Sequence, residues 1–266
     1  MNKARIRINE LAAQVFWQKD EIIRLAMSVP GIPYTTSIDE FTPILVEKKY
    51  AVMQIQYKGT YDSAGQFSAN EAITTLLDFE HELSKDKVIT NFRDQSTLSI
   101  PKKISLLSAH SFGTFAAFNA ILRGFTTGTA IMFSPMFIYG SESIKAGLIA
   151  DISGQAHHIA KALPLTFRLQ SETELNNFFV NEKFALPRTT PTRSPKVKLI
   201  CVCGKNDPGI DSKISRQFVE KICDDYSNIF DLIEYIEVKN GTHDVASLLT
   251  PAVIKKLNMQ INPYEE

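Results

Sequence analysis

The sequence is poor in the residues that staple small or extracellular folds. It holds three cysteines in 266 residues, Cys201, Cys203 and Cys223. The number is odd and no CxxC spacing occurs, which argues against a disulfide framework and against a cysteine-rich zinc site. It also lacks any apolar run near the roughly 18 residues of a membrane-spanning helix. An excess of one charge is missing too: 29 Lys+Arg stand against 29 Asp+Glu. Such a chain has no global field for a polyanion, so neither nucleic acid nor a membrane surface is expected as partner. The opening MNKARIRINELAAQ has no apolar core of a secretory signal, and the expected location is cytoplasmic. Internal repeats and low-complexity tracts are absent.

What is there is ordinary globular protein. Hydrophobic residues make up 44% and charged residues 22%, which excludes disordered and fibrous classes. A chain of this length buries roughly 73% of its unfolded surface, enough for one large core. Short apolar runs alternate with longer helical patterns, the signature of an α/β protein with a mostly parallel sheet flanked by helices. Three strands are read before Val29, another over Tyr50–Tyr57, then Ile104–Ala109, Thr129–Pro135, Lys198–Gly204 and Ile233–Val238. Helices are read from about Ser68 to Lys85, Phe112 to Arg123, Lys213 to Tyr226 and Val245 to Leu257. Cys201 and Cys203 sit two apart on one of these strands and read as core. The alternation breaks between Gly140 and Pro195. A structureless loop of that length is improbable, so 140–195 is read as an inserted helical subdomain and 1–139 with 196–266 as the core.

The strongest chemical signal is Ala109-His110-Ser111-Phe112-Gly113, between a buried strand and an Ala-rich helix. In a nucleophile elbow the residues two before and two after the serine nearly touch, so both must be small, and here they are Ala and Gly. The bland alternative is a polar turn with Ser111 as helix N-cap. A serine needs a base, and the chain has five histidines. His243, in NGTHD after the last strand, falls on the same sheet edge as Ser111. His81 reads as solvated, His110 as packing beside the nucleophile, and His157 and His158 as part of the insertion. An acid must orient the imidazole. Asp207, in GKNDP, leaves the penultimate strand on that edge; an Asx turn is its plain alternative, Asp211 its nearest rival. The loop Ser134-Pro135-Met136 offers no carboxylate. Oxyanion donors are expected at the Phe112 N–H and in Pro30-Gly31-Ile32-Pro33. The prolines have no N–H to give, which leaves Gly31 or Ile32, with Ile32 preferred.

Taken together, VPGIP, QYKGTYDSAGQFS, AHSFG, GKNDPGI and NGTHD resemble the α/β-hydrolase superfamily over most of the chain. Two positions depart from its pattern: Pro30 where the loop usually has His, and Ala109 where the elbow usually has Gly. The resemblance implies a Ser111–Asp207–His243 triad, a lid at 140–195 and no metal or organic cofactor. In a lid, Phe178 and Phe179 would line an acyl pocket. The expected function is hydrolysis of an ester or thioester of a small-molecule acyl substrate. Amide cleavage, and acyl transfer or cyclisation, are alternatives on the same residues; a catalytically silent binding protein is the alternative from another class. The sequence leaves homo-oligomer formation open.

Overall fold

The structure, a computed structural model, describes residues 1–18, 22–85, 89–137, 153–173, 175 and 196–261. The strands are β1 (Asn2–Ile8), β2 (Leu11–Trp17), β3 (Arg24–Val29), β4 (Tyr50–Ile55), β5 (Ile89–Thr90), β6 (Thr97–Leu98), β7 (Ile104–His110), β8 (Thr129–Phe133), β9 (Val197–Gly204) and β10 (Phe230–Val238). Eight of them form one sheet in the order β1-β2-β4-β3-β7-β8-β9-β10, while β5 and β6 make a separate ribbon. From β4 to β10 every neighbouring pair is parallel. Only β2 runs against both its neighbours.

The strand order decides where a site can form. From β3 the chain moves outward to β4, and from β7 it moves outward the other way, to β8 and beyond. The reversal lies between β3 and β7, and ligands of open α/β sheets bind at such a point, beyond the carboxyl ends of the strands. The loops leaving there are Pro30–Pro33 and the elbow at Ser111.

Alternation along each strand feeds two cores. On β9, Leu199, Cys201 and Cys203 face one core, and Ile200 and Val202 face the other. The first core is covered by α2 (Ala69–Ser84), α3 (Phe112–Leu122) and α5 (Ser212–Asp225); the second lies beneath α1 (Thr42–Glu47), α6 (Val245–Leu248) and α7 (Pro251–Gln260). Every residue of α3 is buried, as its near-continuous apolar sequence requires. Full burial of rings such as Phe115 and Phe118 contributes roughly 1.5–3 kcal/mol each. Ser68 caps α2 by accepting from the Glu71 N–H. Among the described residues no helix is long and apolar enough to cross a membrane.

Several elements differ from the sequence reading. The final helix expected over Val245–Leu257 is two helices, because Pro251 cannot continue one and instead starts α7 behind the Thr250 cap. Strand β10 begins at Phe230 rather than Ile233; an irregularity between Phe230 and Leu232 hides its start from a period-two pattern. Helix α1 and the β5–β6 ribbon were not expected at all. Within the insertion, α4 (Ser153–Ala162) is helical. After it the chain turns over 164–166 and then bridges to the loop following β4 at Phe167 and Leu169. There the Tyr61 N–H donates to Thr166 O at 2.9 Å and the Phe67 N–H to Arg168 O at 2.7 Å. The Arg168 guanidinium donates to the carbonyls of Tyr61 and Ser63, and Phe167 is buried against Tyr34, Tyr61 and Phe67. Leu165 is 92% exposed. Phe178, Phe179 and most of the expected lid lie outside the described residues.

Candidate active site

Ser111 sits at φ 52°, ψ −124°, a conformation that costs an L residue about 1–3 kcal/mol and persists only when its surroundings enforce it. They do. The Ser111 N–H donates to Phe133 O of β8 at 3.0 Å, and the Ser111 carbonyl accepts from Thr114 N–H and Oγ1–H at 2.8 and 2.6 Å. Thr114 Oγ1 in turn accepts from the Met136 N–H at 2.6 Å. Gly113 completes the turn. A Cβ there would lie 2.4 Å from Val29 O and 2.6 Å from Pro30 O, both backbone atoms that cannot step aside. Gly113→Ala is therefore expected to destabilise the fold by about 2–4 kcal/mol, read as a lowered urea midpoint at unchanged m-value.

The Ser111 side chain makes no cap bond to α3. Its Oγ lies 3.0 Å from His243 Nε2, and His243 Nδ1 lies 2.9 Å from Asp207 Oδ2 and 3.1 Å from Oδ1. An ionised carboxylate can only accept, so Nδ1 carries a hydrogen; in the neutral imidazole Nε2 is then bare and Ser111 Oγ–H donates to it. The plain readings of Ser111 as an N-cap and of Asp207 as an Asx turn fare differently. The first fails. The second is correct as far as it goes: Asp207 Oδ1 accepts from the N–H groups of Gly209 and Ile210 at 2.8 and 3.0 Å. The turn holds the carboxylate still while it faces His243.

The Asp207 side chain is fully buried, whereas that of His243 is 33% exposed. Burial pushes the carboxyl pKa up, but the hydrogen bond and charge of His243, with the Gly209 N–H and Ser134 hydroxyl, outweigh it and leave the group below its usual value. Asp211 is not a rival: it caps α5, accepting from Lys213 and Ile214 N–H at 2.9 and 3.0 Å. Loops from β9 and β10 meet because the Asn206 N–H donates to Gly241 O at 2.9 Å, which brings Asp207 and His243 together.

Two further side chains hold the loop of His243. His110 Nε2–H donates to the His243 carbonyl at 2.9 Å, with the rings 5.0 Å apart. Burial, then the nearby His243, depresses the His110 pKa, so His110 is a neutral strut. The loop of Ser134 is set aside in the sequence because it has no carboxylate, and with it the role of the Ser134 hydroxyl. That hydroxyl lies 2.8 Å from Asp207 Oδ2 and 3.2 Å from His243 O. Ser134 is itself fully buried at φ 46°. Ser134→Ala is expected to free the Asp207 carboxylate and, in any reaction run through Ser111 and His243, to lower kcat about tenfold with KM nearly unchanged; initial rates over a range of substrate concentrations check the split.

The loop Pro30–Pro33 lies against the elbow. A Cβ built on Gly31 would be 3.2 Å from Ser111 Cβ, and the buried Tyr57 hydroxyl donates to Pro30 O at 2.6 Å. Ile32 is buried there, and Phe112 opens α3 on the other side of Ser111. A cavity of about 430 Å3 opens beside Ser111 and His243. Among the described residues no group of three or more His, Cys, Asp or Glu is placed to hold a metal.

No protein-family model matches the sequence, and no curated protein matches it. Solved structures do. A Pyrococcus furiosus esterase superposes over 98% of this chain and 88% of its own at TM-score 0.58 and 14% identity. A monoacylglycerol lipase from Paleococcus ferrophilus covers 95% and 97% at 0.55 and 14%. The mouse α/β hydrolase domain-containing protein 10 covers 98% and 99% at 0.55 and 12%. Likeness at such identities speaks to architecture alone, and the architecture that this chain has is the α/β-hydrolase fold.

Proposed function

We propose that this protein is a serine hydrolase that cleaves an ester or thioester through an acyl-enzyme on Ser111. The observation that carries the reading is the unbroken line from Ser111 Oγ through His243 to the buried Asp207. A fold alone would not carry it, since the same architecture hosts many activities; that two of the similar structures are an esterase and a lipase agrees with it.

In this reading Ser111 Oγ attacks the substrate carbonyl carbon and its proton passes to His243 Nε2. Asp207 stabilises the imidazolium. The oxyanion is held by the N–H groups of Phe112, at the N-terminus of α3, and Ile32. As the intermediate collapses, His243 returns the proton to the departing alcohol or thiol. Water then attacks the acyl-enzyme, giving a proton to His243 and releasing the acid and free Ser111. The segment 140–195 acts on the acyl side as a selectivity element; the ground for this is the apolar content of its sequence, Phe178 and Phe179 included.

A fluorophosphonate probe tests the reading without knowledge of the substrate. Stoichiometric labelling is expected on the peptide containing Ser111, and none in Ser111→Ala. An unlabelled protein, or one labelled elsewhere, would mean that the arrangement is a silent relic.

A further inference from the structure

The cavity beside Ser111 is unusual for an ester-cleaving site in what lines it. Ligand pockets are mostly apolar with a few polar groups. Here the lining includes Ser28, Asp39, Glu40, Gln54 and Asp244. Among the described residues it carries three carboxylates and no Lys or Arg, and none of the three carboxylates is paired with a cation. The groups nearest the sheet can only accept. Ser28 commits its proton to Asp39 Oδ2 at 2.7 Å. Asp39 is held rigid by the N–H groups of Phe41 and Thr42 and the Thr42 hydroxyl, at 2.9, 2.7 and 2.8 Å.

Gln54 is the telling residue. It is 6% exposed, on β4. Its Nε2 donates to Ser37 O at 2.8 Å, which fixes the amide orientation and holds its head at the cavity wall, where Ser37 also stands. Its Oε1 is buried and has no hydrogen-bond partner among the described residues. A buried acceptor without a donor is costly, and a cavity wall is where a ligand could supply one. The side on which the cavity lies is also informative. His243, Asp244 and Val245 line it together with Ser111, and the alcohol that leaves the acyl carbon must receive its proton from His243 Nε2. The leaving group therefore departs toward these residues.

We propose that this cavity holds the alcohol part of the substrate, and that this alcohol is small and donor-bearing, with hydroxyl or ammonium groups and no negative charge. The inference rests on the hydrolase reading above and adds the substrate class to it. Gln54 Oε1 and Ser28 Oγ accept from the alcohol, Asp39, whose two oxygens already accept from four protein donors, contributes its charge, and Glu40 and Asp244 at the exposed rim favour a cation and repel an anion.

The test is a set of butyrate esters that differ only in the alcohol: glycerol, 2-(dimethylamino)ethanol, propanol and glycolate. Glyceryl and dimethylammonioethyl butyrate are each expected to exceed propyl butyrate about tenfold in kcat/KM, and the anionic glycolate ester to fall about tenfold below it. A lead confined to the glyceryl ester would assign the Gln54 acceptor, and one confined to the ammonium ester the rim carboxylates. In Gln54→Met the glyceryl-to-propyl ratio should drop toward one, whereas Gln54→Glu, which keeps an acceptor, should retain it; circular dichroism checks that both variants fold. The second arm needs no turnover. On Ser111→Ala, saturation-transfer NMR should detect 1-O-butylglycerol and not its dimethyl ether. Esters cleaved without alcohol preference, together with equal NMR response to the two ethers, would overturn the proposal and leave the hydrolase reading standing. Selective binding of butylglycerol without any ester turnover would do the reverse.

Discussion

Ser111→Ala is expected to lower kcat/KM for a simple activated ester by roughly 10⁵-fold or more while leaving the protein folded. In the proposed mechanism no acyl-enzyme forms without Oγ, and what remains is the contribution of binding and of the proposed oxyanion donors. The stability cost should stay under about 1 kcal/mol. The bond lost is the one to His243 Nε2, and that imidazole is 33% exposed, so water can replace the hydroxyl. A companion variant separates chemistry from strain. Ser111 has φ 52°, a value that glycine adopts without penalty. Ser111→Gly should therefore be as inactive as Ser111→Ala yet more stable by about 1 kcal/mol. Rates with p-nitrophenyl butyrate and thermal midpoints of the three proteins check both statements. A Ser111→Ala protein that retains more than about 1% of the wild-type rate would remove Ser111 from the reaction.

The residues brought together at the sheet edge were legible in the sequence for one physical reason. Each sits directly after a strand whose apolar run is long enough to recognise: Ser111 after β7, Asp207 after β9, His243 after β10. In a parallel sheet the carboxyl ends of all such strands fall on one edge, so order along the chain becomes proximity in space. Elements without that support were lost. Helix α1 is six residues long, less than two turns, and its Pro43 reads as a breaker although proline is tolerated in a first turn. Strands β5 and β6 have two residues each, too few for any period.

The roles of small polar side chains were lost for a different reason. Ser134 reaches the Asp207 carboxylate and the His243 carbonyl, and Thr114 the Met136 N–H, across loops distant in the chain, and no spacing rule connects residue 134 with residue 207. Gln54 lies in a strand whose wholly buried pattern announces burial but not what its amide meets. His110 was read as packing, and it does pack, with a directed bond in addition. For Asp207 the two readings weighed against each other are not exclusive: the Asx turn is present, and it holds the carboxylate that faces His243.

Asp207→Asn should lower kcat by up to about 10⁴-fold with little change in KM. The size follows from which atom becomes a donor. Asp207 Oδ1 accepts from the Gly209 and Ile210 N–H groups, so the asparagine keeps its carbonyl there and puts its amide nitrogen at the Oδ2 position. That nitrogen then points two hydrogens at His243 Nδ1, 2.9 Å away, and at the Ser134 hydroxyl. The imidazole answers by moving its proton to Nε2, the atom that must be bare to take the proton of Ser111. Stability should fall too, with a recognisable pH dependence. Despite the opposing effect of burial, the folded-state pKa of Asp207 is lowered, mainly by His243. Its charge therefore stabilises the fold above the unfolded value near about 3.9, and that contribution is lost as pH falls through the folded value. The wild type should be the more stable protein at pH 7, and the gap should close below about pH 4. Asp211→Asn is the control: asparagine caps a helix as well as aspartate, so rate and stability should stay within about twofold and 0.5 kcal/mol. A mild Asp207→Asn beside a severe Asp211→Asn would move the acid four residues along the chain and separate the buried hydrogen-bond line from the chemistry.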